Sequence, residues 1–180
     1  MKELLSYGLA VAALVVTAIG FVPVLGRLKY YQLKPAVLQL LRTQPNRAEL
    51  MWRTSKGSCL EPLAAAMKGA VMMKSNDPEA VGAATKPSYD AACAMVNMHW
   101  KAVMKRAKTG VGLALGGFVL AISVGALPVV HVLALLACGA GAGWLLSFKL
   151  DVDRSLVLAR AELLPELERA FVDGRYVLPS

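Results

Sequence analysis

Between Lys108 and Lys149 the chain carries no Asp, Glu, Lys or Arg. This run, Thr109 to Phe148, is 40 residues long, and its titratable groups near neutrality or somewhat above are His131 and Cys138. One membrane helix needs about 20 apolar residues, so the run is twice the length of a single span. At its middle stands Gly125-Ala126-Leu127-Pro128, a turn signal placed to fold it in two. The expectation is a transmembrane hairpin, Thr109 to about Leu127 and about Val129 to Phe148.

A second uncharged stretch, Leu4 to Leu25, precedes it. A cleaved signal peptide has a shorter apolar core, about 7–15 residues, that ends in a small-residue cleavage site. Here the apolar run passes Pro23 straight into Gly26-Arg27-Leu28-Lys29, which favours a retained helix. Flanking charge sets the orientation. Arg27, Lys29, Lys34, Arg42 and Arg47 follow the first span. Lys101, Lys105, Arg106 and Lys108 precede the hairpin, and Lys149 and Arg154 follow it. The positive-inside rule then places the N-terminus outside and both ends of the hairpin in the cytoplasm. The expected fold is an all-α integral membrane protein with three transmembrane helices, N-out and C-in, and a helical cytoplasmic domain between the first span and the hairpin. Its segments are 1–26 (first span), 27–108 (cytoplasmic helices), 109–148 (hairpin) and 149–180 (C-terminal helix).

The cytoplasmic segment carries 14 Lys/Arg against 5 Asp/Glu. Together with a net charge of +8, this fits a face lying on anionic lipid, with Lys101, Lys105, Arg106, Lys108 and Lys149 as headgroup contacts. The basic residues are scattered and carry no recognition motif, so nucleic-acid binding is not expected. Pro35 is expected to open a short helix, Ala36 to Arg42, and Asn46 to cap another through Trp52. Ser58-Cys59-Leu60-Glu61 has capping-box spacing with Pro62 at the helix start. Behind it Leu60, Leu63, Ala64, Met67, Ala70 and Val71 share one face. Asp77-Pro78-Glu79 opens a short helix, and Lys86-Pro87-Ser88 a long one that runs into the membrane. Trp52 and Trp100 read as core or interface anchors. In the tail, Leu156, Ala159, Leu163, Leu167 and Phe171 form a stripe that needs a kink at Pro165, with Gly174 as the stop. The last span should project past the membrane and pack on the helix from Ser88.

Little in the chain points to chemistry. Cys59, Cys93 and Cys138 match no zinc or redox spacing, His99 and His131 lie in different settings, and no nucleophile–base pair or phosphate loop occurs. No catalytic residue, metal or cofactor is expected. Gly112 with Gly116, and Gly139 with Gly143, make two GxxxG pairs, which let helices approach closely in lipid. They either close the hairpin or seat a pore or partner helix. Ser123 and Cys138 are the weakly polar groups deep in the hairpin and are expected to bond their own helix backbone. His131 is expected at the outer surface, near headgroups and solvated, with a pH sensor as the alternative. No span contains an Asp, Glu, Lys or Arg, so a proton path would need a carboxylate from elsewhere.

The layout resembles the MotA/TolQ/ExbB proton-channel family. Ser58-Cys59-Leu60-Glu61-Pro62-Leu63-Ala64, followed by Met67 to Ala70, is similar to the family's helix after its first span. Ala114-Leu115-Gly116-Gly117-Phe118-Val119 falls where the family often has Gly-Leu-Leu-Gly-Thr-Val, and Ala137-Cys138-Gly139-Ala140-Gly141 where it often has Ala-Thr-Ala-Leu-Gly. Phe118 and Cys138 thus stand where family members carry path-lining threonines, and the outer turn is shorter. The resemblance implies a homo-pentamer in the bacterial inner membrane around a single-span partner with an Asp or Glu in its helix. Proton flow through such a complex drives work in the envelope, and Phe118, Ser123 and Cys138 become candidates for the ion pathway. A non-conducting membrane scaffold that recruits other proteins is the alternative from a different class. A holin-like small channel fits the hairpin but leaves the large cytoplasmic segment without a role.

Overall fold

The computed structural model describes residues 2–22, 30–45, 58–125 and 129–176. The described residues are helical with short turns: α1 (Lys2–Phe21), α2 (Tyr30–Thr43), α3 (Leu60–Met73), α4 (Pro78–Ser123), α5 (Val129–Glu162) and α6 (Leu164–Val172). Two helical stretches are long and apolar enough to cross a membrane, Lys2–Phe21 and Val129–Val172. The expected cap at Asn46, the anchor Trp52 and the residues Ala126 to Pro128 of the turn lie outside the described residues.

The chain divides into two compact units. One comprises Met1–Gly26 and Trp100–Leu150, the other Arg27–His99 and Asp151–Ser180.

In the first unit, α1 packs with the C-terminal part of α4 and the N-terminal part of α5. The buried positions of α1 are Ser6, Ala10, Ala13, Thr17 and Gly20, spaced alternately four and three residues apart. That alternation keeps one narrow stripe on one side of a helix. On α4 the matching positions are Gly110, Ala114, Gly117 and Ala121, and on α5 they are His131, Ala134, Cys138, Gly141 and Leu145. Nearly all are small. Many of the large aliphatic side chains lie outside: Leu14, Val15 and Ile19 on α1, Leu115, Val119 and Ile122 on α4, Leu133 and Leu136 on α5 are all exposed, while Leu145 is buried and Val111, Leu113 and Leu135 pack half-buried against the small core. Beyond Ser123, α4 ends in a turn where Gly125 has φ +70°, a backbone that glycine adopts without steric cost.

The second unit sorts its residues the usual way. On α3, Leu60, Pro62, Leu63, Ala66, Met67 and Ala70 are buried. The Ser58 hydroxyl accepts from the Leu60 N–H at 3.3 Å, one residue short of the capping-box pattern, and the Ser58 carbonyl accepts from the Glu61 N–H. Asp77 caps α4 by accepting from the Ala80 N–H at 3.1 Å. Both α2 and α3 pack on α6. The tail stripe is as expected, with Leu156, Ala159, Leu163, Leu167 and Phe171 buried. Leu163 forms the break before Pro165, and Gly174, at φ +67°, ends the helix while the Tyr176 N–H reaches back to the Ala170 carbonyl. The Tyr89 hydroxyl donates to the Leu156 carbonyl at 2.7 Å, and Arg160 pairs with Asp90 at 3.1 Å, joining α4 to α5.

Two prolines expected to start helices lie inside them instead. Pro35 is within α2 and Pro87 within α4. Each removes one backbone bond, and an interior proline costs about 3 kcal/mol. The packed stripe carries the helix through: Tyr30, Leu33, Val37 and Leu41 are buried around Pro35, and Val81, Thr85, Tyr89 and Ala92 around Pro87. Pro87 itself faces outward. The helix expected from Ser88 therefore begins ten residues earlier, at Pro78.

A substitution at Gly117 tests the close packing of the first unit. A Cβ there would stand 3.2 Å from the Leu9 Cβ and 3.3 Å from the Ser6 carbonyl oxygen. Gly117→Leu should destabilise the protein by about 1–3 kcal/mol or more through overpacking, read as a lowered midpoint of thermal unfolding in detergent.

Candidate helix-docking faces and the interior of the three-helix unit

The contacts of α1 explain how the three helices of the first unit hold together. A Cβ on Gly110 would collide with the Thr17 hydroxyl and come within 3.2 Å of the Ala13 carbonyl oxygen. A Cβ on Gly141 would lie 3.0 Å from the Phe21 ring and 3.1 Å from the Thr17 Cγ2. Glycine is required at these positions because backbone and side chain of α1 occupy the space that a Cβ would take. At the centre, Ala13, Ala114 and Cys138 form one buried cluster. The Thr17 hydroxyl donates to the Cys138 Sγ at 3.4 Å. Cys138 thus finds its partner on α1 rather than on its own backbone.

The two GxxxG pairs play no part in this closure. Gly112, Gly116, Gly139 and Gly143 are exposed, and a Cβ on any of them would meet nothing within 4 Å. The reading in which they close the hairpin is therefore corrected: Gly110, Gly117 and Gly141 make the close approaches, and all three make them to α1. The four GxxxG glycines are left on outward faces of α4 and α5.

Of the pathway candidates, Cys138 is buried, Phe118 is half-buried and Ser123 is exposed, its hydroxyl donating to the Leu120 carbonyl at 2.7 Å. This chain does not gather them on one surface. His131 departs furthest from its expectation. It is fully buried, with neither ring nitrogen hydrogen-bonded, and its ring lies 4.9 Å from that of Tyr7. The reason is register: position 131 begins the buried stripe that continues at Ala134, Cys138 and Gly141. Lys101, Lys105, Arg106 and Lys108 are exposed, and Lys149 is half-buried. Near Lys149 stand three aromatic rings, Phe21 and Trp144 with centroids 5.2 Å apart, and Trp144 and Phe148 4.3 Å apart.

The polar contacts of the second unit are structural in character. The Tyr30 hydroxyl donates to Glu162 at 2.6 Å, and the Lys34 ammonium lies 3.0 Å from the same carboxylate. These two bonds, the tyrosine's first, lower the Glu162 carboxyl below its ordinary value. Burial, followed by the carboxylate's proximity, raises the Tyr30 phenol. Thr85 donates to Glu168 at 2.6 Å, and Arg42 pairs with Glu166 at 3.3 Å. Burial pushes the Cys59 thiol up to about 11 and also raises Cys93. Trp100 is fully buried, an anchor as expected. Among the described residues no group of three or more His, Cys, Asp or Glu side chains comes together to hold a metal ion.

Thr17, Gly110, Gly117 and Gly141 were missed in the sequence. Their signal was the alternation of four and three among small residues on α1, and the seven-residue spacing of Gly110 and Gly117.

Two outcomes follow from the second unit. At pH 8 the raised Cys59 thiol has about a hundredfold less thiolate than an ordinary cysteine. Peptide mass spectrometry after iodoacetamide should find Cys59 unmodified in the native protein and alkylated once denaturant is added. The lowered Glu162 contributes stability above the unfolded carboxylate value of about 4.3. That contribution is lost as the pH falls through the folded value. Tyr30→Phe should weaken the protein at neutral pH more than at about pH 3, seen by comparing denaturant midpoints of the two proteins.

No family model, curated protein or solved structure matches this chain.

Proposed function

We propose that the chain is an oligomeric subunit of the bacterial inner membrane. It crosses the bilayer three times, with its N-terminus outside. The inverted sorting of the first unit supports a lipid setting. In water, burying Leu, Ile and Val drives folding and small residues gain little from the interior. In lipid the tails are as apolar as Leu, so association depends on close approach between small residues. Here Ala and Gly are inside while Leu115, Val119, Leu133 and Leu136 are outside. Thr109–Ser123 provides 15 uncharged helical residues, fewer than a full span. Lys105, Arg106 and Lys108 flank it, and their long side chains can reach the headgroups. Trp144 and Phe148 beside Lys149 fit a membrane–water interface.

The function we infer is that of a pentameric subunit in a complex driven by the proton-motive force, working with a single-span partner that carries a membrane carboxylate. One observation carries it: Gly112 with Gly116 and Gly139 with Gly143 face outward, uncovered by this chain. Two close-approach faces on different helices suit contacts in which each copy meets the next through unlike surfaces, the kind of contact that closes into rings. No span offers an Asp or Glu, so the titrating carboxylate comes from the partner. Anionic lipid is held by Lys101, Lys105, Arg106, Lys108 and Lys149.

A second reading, a non-conducting scaffold, draws on a specific contact. Cys138 sits where a path-lining threonine is expected from the family resemblance, yet it is buried and occupied by Thr17.

Native mass spectrometry of the complex extracted in mild detergent tests the proposal. The expected result is five copies bound to two copies of a single-span protein with an acidic residue in its helix. A monomer, or a ring without such a partner, rejects the motor reading. Gly116→Leu should break the ring and leave the monomer's stability unchanged, whereas Gly117→Leu should destabilise the monomer itself. A normal ring in Gly116→Leu rejects that face as the contact.

A further inference from the structure

His131 is the described side chain in the three-helix unit with both polar atoms buried and unbonded. It occupies the third residue of α5 and packs on Tyr7 of α1, the rings tilted by 44°. Ser6, next to Tyr7 in sequence, donates its hydroxyl to the Glu3 carbonyl at 2.7 Å and makes no bond to the ring. We propose that His131 is an acid-sensitive latch between α1 and α5. As the neutral imidazole it packs against Tyr7. On protonation it releases the first turns of α1.

The surroundings favour this sign. A hydronium ion gives its proton to a ring nitrogen and leaves as water, and the product is an imidazolium. Inside the unit that cation sits among apolar groups, which penalises the charged form. It also stands in the first turn of α5, where the helix dipole presents its positive end. Among the described residues no carboxylate is hydrogen-bonded to the ring to compensate. From α1 the facing titratable group is Tyr7, while Lys2 and Glu3, a turn earlier, are exposed. The packed stretch Thr109–Ser123 of α4 has no titratable group, and the next on α5 is Cys138, already bonded to Thr17. The cheaper course for the charged ring is to reach water, and that requires α1 to move away from α5. Acid is therefore the signal that the latch reads. In the N-out orientation this end lies outside, on the acidic side of an energised membrane. That placement rests on the proposed function; the latch does not.

The test is hydrogen exchange of the full chain in lipid nanodiscs, followed by mass spectrometry of peptides covering residues 2–12, from about pH 7.5 to 5.5 and corrected for intrinsic exchange. Once His131 titrates, protection of these residues should fall roughly tenfold per pH unit. His131→Phe should abolish that dependence, and His99→Gln, at an exposed position, should preserve it. A flat profile in the unaltered protein, or the same slope in His131→Phe, overturns the latch. If His131→Phe does not fold, the ring 15N signals of the unaltered protein decide. A His131 signal moving with the loss of protection supports the latch, and one that stays fixed overturns it. The oligomer mass is indifferent to every one of these results, so failure of the latch is distinct from failure of the motor reading.

Discussion

Close approach of α1 to its neighbours is the constraint on which the first unit depends. Gly110, Gly117 and Gly141 leave no room for a Cβ, because Thr17, Leu9, Ser6 and Phe21 fill the space. Helices that approach this closely gain many weak dispersion contacts at once. They also bring backbone polar atoms of α1 near the neighbouring helix, as at the Ala13 and Ser6 carbonyls. The same small stripe sets which side of each helix faces in, and so it decides that Cys138 and His131 are interior.

The second unit is built by a different rule. Its helices bury Leu, Val, Met and aromatic side chains, and ion pairs such as Arg160 with Asp90 lie at the surface. Exposed pairs of this kind contribute little individually, so the apolar stripe is what carries helices through Pro35 and Pro87. One chain thus holds two units with opposite sorting of large and small residues. Under the proposed function, the difference follows from solvent: lipid around the first, water around the second.

The candidate site was only partly legible in advance. The GxxxG glycines were visible as a pattern, but a pattern of small residues does not say which neighbour they meet. Gly116 and Gly117 are adjacent, and the helix turns by about 100° between them, so one faces α1 and the other faces outward. His131 was misread for a related reason. Its nearness to the turn suggested solvent, whereas its register with Ala134 and Cys138 placed it inside. Thr17 drew no attention because its four-and-three spacing with Ser6, Ala10, Ala13 and Gly20 runs through a stretch apolar on every side.

By itself the sequence determined the helical class, the positions of the long apolar stretches, the stripe of the tail and the stop at Gly174. These depend on local composition and periodicity, which are properties of neighbouring residues in the chain. Only the tertiary structure decided that α1 takes up Gly110, Gly117 and Gly141, that the GxxxG faces remain uncovered, and that His131 is buried beside Tyr7. Those outcomes depend on which faces of distant helices meet, and no local pattern encodes a partner about a hundred residues away.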